Sequence, residues 1–220
     1  MSKWLLNESS HRSETGEYLA LDLGGTNFRV LLITLKDGRM VDQVHFDFSL
    51  PTFHSMDYLQ LISYYEVAEE LRRGPGENLF RFLAECILVR TYGVELGCCV
   101  VTTYSFQDFQ TVHKLPPCQQ YDLGFCFSLP MIQKGLDVGI LVSWTKNYNC
   151  PGVEGEDVVR MLNKALAEVG VSNVKVVAIL NDTTGTLVAG SHDYPDAGIG
   201  LILGTGTNGS FMERADRVVR

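Results

Sequence analysis

Apolar positions recur at two spacings along this chain, and the change from one spacing to the other marks out its elements. From residue 18 to 48, YLALDL, NFRVLLITL and MVDQVHFDF read as three consecutive strands joined at GGT and KDGR, a meander. Alternation in VDQVHFDF predicts one solvated face, and the unbroken VLLITL predicts a strand buried on both sides. Residues 51 to 73 follow no clean period until EVAEELRR, a short helix stopped by Gly74-Pro75-Gly76. The run ENLFRFLAECILVRTYG then puts Leu79, Leu83, Cys86, Ile87 and Arg90 along one stripe, a helix ended by Gly93.

The second half alternates strand and helix signals. Residues 94 to 122 are irregular, with VVTTYSF as a strand and Pro116-Pro117 as a break. LGFCFSLP, 123 to 130, and GILVSWT, 139 to 145, read as strands. GVEGEDVVRMLNKALAEVG carries Val158, Leu162, Ala165, Leu166 and Val169 at helical spacing, with acidic residues in its first turn and Gly170 at its end. VKVVAIL is a buried strand, and NDTTGTLVAG opens a helix. GIGLILGTGTNGSFME repeats the opening pattern of aliphatic strand, glycine-threonine turn and second strand. Strands joined by helical crossovers indicate an α/β fold.

Composition narrows the picture. With 220 residues, 45% of them hydrophobic, the chain can bury a core as one domain or two small ones. A formal charge of −8, with no cluster of Lys and Arg, argues against a nucleic-acid surface. The first 16 residues read as a flexible tail, Trp4-Leu5-Leu6 being too short for a signal segment. No run approaches the 18 or so apolar residues of a membrane-spanning helix, so no membrane insertion and a cytoplasmic location are expected. Six cysteines, at 86, 98, 99, 118, 126 and 150, form no CxxC pair and read as free, mostly buried thiols.

Two turns carry candidate chemistry. Gly24-Gly25-Thr26 and Gly204-Thr205-Gly206-Thr207 each follow an apolar strand. Successive amides in such a turn can form an anion site, to which a threonine hydroxyl adds a donor. Each alone is equally the turn of a hairpin; as a pair they could hold two ends of a polyphosphate. Asp22, just before the first turn, could hold magnesium through water. No Lys-Ser or Lys-Thr follows either turn, so neither is a Walker loop.

Asn181-Asp182 stands at the carboxyl end of VKVVAIL, where open α/β sheets place ligand-contacting groups. There Asp182 either accepts the proton of an attacking hydroxyl or merely caps the following helix. Ser128, Thr145, Lys146 and Asn208 are polar side chains at strand ends that suit a polyhydroxy ligand, since each sugar hydroxyl both donates and accepts. Trp144 beside them reads as core or as a stacking platform.

LDLGGTNFRV, LGFCFSLP, WTKNYN, GVEGEDVV, ILNDTTGT and GLILGTGTN occur in the order and spacing of the eukaryotic hexokinases, a family the chain resembles over residues 17 to 50, 74 to 93 and most strongly 122 to 214. The resemblance implies an actin-like ATPase (ribonuclease H-like) fold, with residues 17–180 as the small domain and 181–220 as the start of the large one. It implies an ATP-dependent hexose kinase with glucose, ATP and Mg²⁺ as its small molecules. By this resemblance, Asp22, Gly24, Gly25, Thr26, Asn27 and Arg29 form the first phosphate motif, and Gly204, Thr205, Gly206 and Thr207 the second. Ser128, Thr145, Lys146, Asn181 and Asn208 are the glucose ligands; Asp182 is the catalytic base, and Lys146 acts on charge at the transferred phosphoryl group or the sugar. The family's pattern departs around 48–64 and 94–121, KNYN stands where the family usually has KGF, and FSLP replaces FSFP. The family also continues beyond the position of Arg220, so a partial chain that binds sugar without turnover is the alternative expectation.

Overall fold

In this computed structural model the described residues are 14–25, 27–37, 39–43, 62–92 and 119–218. The expected strand VVTTYSF, residue Thr26, Cys98, Cys99, Cys118, most of the tail and most of segments 48–64 and 94–121 lie outside them.

The opening alternation folds as a hairpin. Strand β1 (Gly16–Leu23) pairs antiparallel with β2 (Asn27–Lys36), Leu23 opposite Phe28. Gly16, counted with the tail in the sequence, is the first residue of β1. The outer edge of β2 is shared by two strands: β3 (Arg39–Gln43) pairs along 33–36, and β4 (Ile62–Glu66) along 27–31. On its other side β1 runs parallel to β5 (Tyr121–Phe127), which runs parallel to β8 (Val174–Leu180). The result is a mixed six-stranded sheet in the order β3-β2-β1-β5-β8, with β4 on β2.

Because a strand's side chains alternate between faces, Leu19, Leu21 and Leu23 share one face of the sheet with Phe28, Val30 and Leu32, and all six are buried. Helices α1 (Glu69–Arg73), α2 (Gly76–Tyr92) and α3 (Val158–Glu168) complete this side. α2 contributes Leu79, Phe80, Leu83, Cys86 and Ile87, and α3 contributes Val158, Leu162 and Leu166, to one continuous core with the strands. The Phe28 and Phe82 rings meet at 6.3 Å. Leu31 and Ile33, on the opposite face, are only half-buried, so β2 is not buried on both sides as VLLITL predicts.

The ends of α3 differ from expectation in detail. Its N-cap is Asp157, whose carboxylate accepts from Val159 N at 3.1 Å, and no acidic residue lies in the first turn. Gly170 follows the C-cap with φ +86°, a left-handed conformation that glycine adopts without steric cost. GILVSWT is a strand only from Val138 to Leu141 (β7), paired with β6 (Met131–Gly135). Val142 N makes the last bond in register, to Pro130 O, and beyond it the backbone leaves the ladder, Trp144 N bonding Glu154 Oε1.

Helix α4 (Asp182–Asp193) follows β8 directly, and the last strands, β9 (Ile199–Leu203) and β10 (Thr207–Phe211), form a separate hairpin against it. A Cβ on Gly200 would stand 2.8 Å from Thr183 O and 2.9 Å from the Leu187 Cβ. Only glycine allows that approach. No helix of the described residues is long and apolar enough to cross a membrane.

Candidate active site

Parallel pairing brings the chemistry together. In register, Asp22 lies beside Cys126 and Leu23 beside Phe127, while Cys126 lies beside Leu180. The carboxyl ends of β1, β5 and β8 are therefore adjacent, and Asp22, Ser128 and Asn181-Asp182 emerge along one sheet edge. Ser128, 6% exposed, is tied to β1 by its amide, which donates to Leu23 O at 3.2 Å.

The two glycine turns converge at the same edge. A Cβ on Gly25 would stand 3.0 Å from Thr205 Cβ and 3.1 Å from Lys146 Cδ. Gly204 and Gly206 leave room, with no atom closer than 3.8 Å to a Cβ built on either. Lys146 thus lies between the turns, its Nζ 4.0 Å from Asp182 Oδ2. Gly24-Gly25 closes a hairpin, as one reading of the sequence has it, and also faces the second turn. Asn27 opens β2, and Thr207 opens β10.

Lys146 owes its place to a tight turn. Thr145 O accepts from Tyr148 N at 3.0 Å, and both central residues are left-handed, Lys146 at φ 55° and Asn147 at φ 68°. Asn is among the few side chains tolerant of this conformation, whereas Lys there is uncommon. The flanking rings hold the turn: Trp144 stacks on Tyr148 at 5.5 Å with planes 19° apart, and Trp144 Nε1 donates to Cys150 O at 2.8 Å. Trp144 is packed against the core. Thr145 is exposed at the start of the turn.

The cap of α4 is Asn181 rather than Asp182. Asn181 Oδ1 accepts from Thr183 N at 3.2 Å, from Thr183 Oγ1 at 2.7 Å and from Asn208 Nδ2 at 3.1 Å. The Asp182 carboxylate accepts from Thr183 N at 2.8 Å through Oδ1, and its Oδ2 faces Lys146. Thr183 is not singled out by the sequence. Its position immediately after Asp182, in a helix's first turn where hydroxyls meet backbone and cap groups, is the signal that could have found it.

Burial raises the Asp22 carboxyl above its ordinary range, opposed by the Arg29 guanidinium 3.4 Å away. The Asp22 side chain stays 32% exposed, and its contact with Arg29 is a long one. Beside it the Cys126 thiol is pushed up to about 12, chiefly by burial and then by the charges of Asp22 and Asp182. It is therefore a protonated, inert group at neutral pH. Cys86, Cys126 and Cys150 are free.

Two surface grooves lie elsewhere. One of about 320 Å³ is lined by Glu77, Phe80, Arg160, Met161, Lys164 and Glu168, and one of about 220 Å³ by Glu69, Arg72, Arg73 and Asn147. The first carries a solvated ion-pair face, Lys164 bridging Glu77 and Glu168 at 3.6 Å each, and neither gathers the carboxylate, lysine and turn amides found at the sheet edge.

Comparison with known proteins gives the family and the fold. The hexokinase family model matches residues 5–192. Hexokinase-3 of Rattus norvegicus is 38% identical over 208 residues, 94% of this chain but 18% of that protein. Hexokinase-2 of Candida albicans is 39% identical over 203 residues, 91% of this chain and 34% of its own length. Among solved structures, a Schistosoma mansoni hexokinase complexed with glucose superposes with a TM-score of 0.68 at 33% identity, covering 96% of this chain and 39% of that one. The chain thus spans about a third of its fungal relative and under a fifth of the rat one. Its mixed sheet is that of the actin-like ATPase fold shared by those structures. On the family model and these relatives together, the chain belongs to the hexokinase family.

Proposed function

We propose that this chain carries the sugar-side half of a hexose kinase, which transfers the γ-phosphoryl group of ATP to the 6-hydroxyl of glucose or a related hexose. The observation that carries this reading is the meeting of Asp182, Lys146 and both glycine turns at the joined carboxyl ends of β1, β5 and β8. In this reading Asp182 accepts the proton of the 6-hydroxyl as its oxygen attacks phosphorus. Lys146 offsets negative charge developing at the transferred group.

Ser128, Thr145, Asn181 and Asn208 bind the remaining hydroxyls, and rejection of sugars lacking one follows from leaving such groups unpaired. The first turn with Thr26, Asn27 and Arg29, and the second with Thr205 and Thr207, hold the polyphosphate through amides and hydroxyls. Mg²⁺, held by Asp22 through water, supplies charge neutralisation at the phosphates when bound. The partly exposed carboxylate of Asp22 fits that role. Residues 17–180 correspond to the small lobe and 181–220 to the start of the large one, in a cytoplasmic protein. The schistosome hexokinase was solved as a complex with glucose, which favours glucose as the ligand here.

Calorimetric titration of the chain with glucose, repeated on Asn181→Ala, tests the sugar half of the proposal. Saturable binding lost in the variant supports it. No binding by folded wild-type chain overturns it, and binding without turnover under Mg-ATP leaves a sugar-binding fragment.

A further inference from the structure

Thr183 is 3% exposed, yet its polar groups are engaged on every side. Its hydroxyl donates to Asn181 Oδ1 at 2.7 Å and accepts from Asn208 Nδ2 at 3.4 Å. Its carbonyl accepts from Ser210 Oγ at 2.7 Å. Asn208 Nδ2 also donates to Asn181 Oδ1 at 3.1 Å, and Thr183 N adds a third donor there at 3.2 Å. Three donors converge on one side-chain oxygen.

That convergence decides which way a carboxamide points, since its oxygen and nitrogen are nearly the same size and only the surrounding donors and acceptors tell them apart. Turned over, Asn181 would set its NH₂ against three donors. Held as it is, it directs Nδ2 the other way, with Phe127 O at 3.5 Å as its partner among the described residues. One N–H therefore remains to donate outward. Asn208 is fixed by the same hydroxyl, its Nδ2 spent on Asn181 and Thr183 and its Oδ1 accepting from Gly209 N at 2.9 Å. An amide oxygen has two lone pairs, so one remains to accept from a ligand.

We infer that Thr183 is a positioning residue: its hydroxyl sets the Asn181 and Asn208 amides so that the site offers an N–H donor from Asn181 and a carbonyl acceptor from Asn208 to adjoining hydroxyls of a hexose. The inference rests on the sugar-binding reading above. It also ties two parts of the site together, because the Ser210 bond to Thr183 O and the close approach of Gly200 seat the β9–β10 hairpin, and with it the Gly204–Thr207 turn, on the start of α4.

The test compares Thr183→Val, which keeps the shape and removes the hydroxyl, with Thr183→Ser, which keeps the hydroxyl. Two readouts are taken on variants that retain the wild-type circular dichroism, with Thr183→Ala standing in if the valine variant does not fold. The first is the side-chain ¹⁵N amide resonances of Asn181 and Asn208 in the ligand-free protein. Wild type and the serine variant are expected to share shifted, slowly exchanging signals, which the valine variant loses. The second is glucose affinity by calorimetry, expected to weaken about tenfold with valine and to stay within about twofold with serine, in proportion to one lost hydrogen bond at each amide. Unchanged amide signals and unchanged affinity in the valine variant overturn the inference. A wild-type chain that binds no glucose sinks the sugar-binding reading instead, and the amide signals still decide whether Thr183 orients the two side chains.

Discussion

Lys146 Nζ stands 4.0 Å from Asp182 Oδ2 while the same side chain's Cδ lies where a Cβ on Gly25 would come within 3.1 Å. One lysine therefore lies beside the Asp182 carboxylate and the first glycine turn at once. Lys146→Met keeps the packing and removes the charge. It is expected to lower kcat by at least about tenfold, with a smaller change in glucose affinity, measured by initial rates beside calorimetry.

The close approach of the turns predicts a steric effect. In Gly25→Ala the new methyl meets Thr205 at 3.0 Å, so the two turns must separate. The KM for ATP should rise several-fold, with glucose affinity nearly unchanged. Gly124→Ala is the control, because a Cβ there meets nothing within 4 Å, and its kinetics should stay at the wild-type level.

Backbone strain at the lysine turn is testable through stability. Asn147, at φ 68°, occupies a conformation that β-branched residues resist. Asn147→Val should cost about 1–2 kcal/mol, and Asn147→Gly should stay within about 0.5 kcal/mol of wild type. Urea unfolding of the three proteins checks both.

Cys150 predicts a pH dependence. Burial pushes its thiol up to about 11 from an ordinary 9.0, and its single S–H is shared between Leu71 O and Arg72 O. The unfolded thiol ionises near 9 while the folded one keeps its proton to about 11. The folded state thus binds more protons in that window, and its stability falls as pH rises through it. Cys150→Ser retains a donor without titrating there, so its unfolding midpoint should fall less steeply than that of wild type between about pH 8.5 and 10.5.

Much of this was legible in the residues. The β1–β2 hairpin, α2, α3 and β8 follow from local periodicity, and the two turns announce themselves by glycine and threonine. What escaped depends on distant partners. ISYYE carries no clean period, yet it becomes β4 because the outer edge of β2 at 27–31 lies open to it. Ser143, Trp144 and Thr145 follow an apolar run, yet they leave the ladder because Pro130, next in register, has no N–H to return the bond from Val142 N, and Trp144 N turns to Glu154. The role of Thr183 is not local, because its partners Asn208 and Ser210 stand 25 and 27 residues away.

The most direct measurement is Mg²⁺- and ATP-dependent formation of glucose 6-phosphate by the purified 220-residue chain, with Asp182→Ala beside it. The expected result is turnover that the substitution reduces by about 10²-fold or more, with glucose binding largely retained. Turnover that survives the loss of the Asp182 carboxylate would contradict a kinase built on this sheet edge; a folded chain that binds glucose without turnover is the sugar-binding fragment instead.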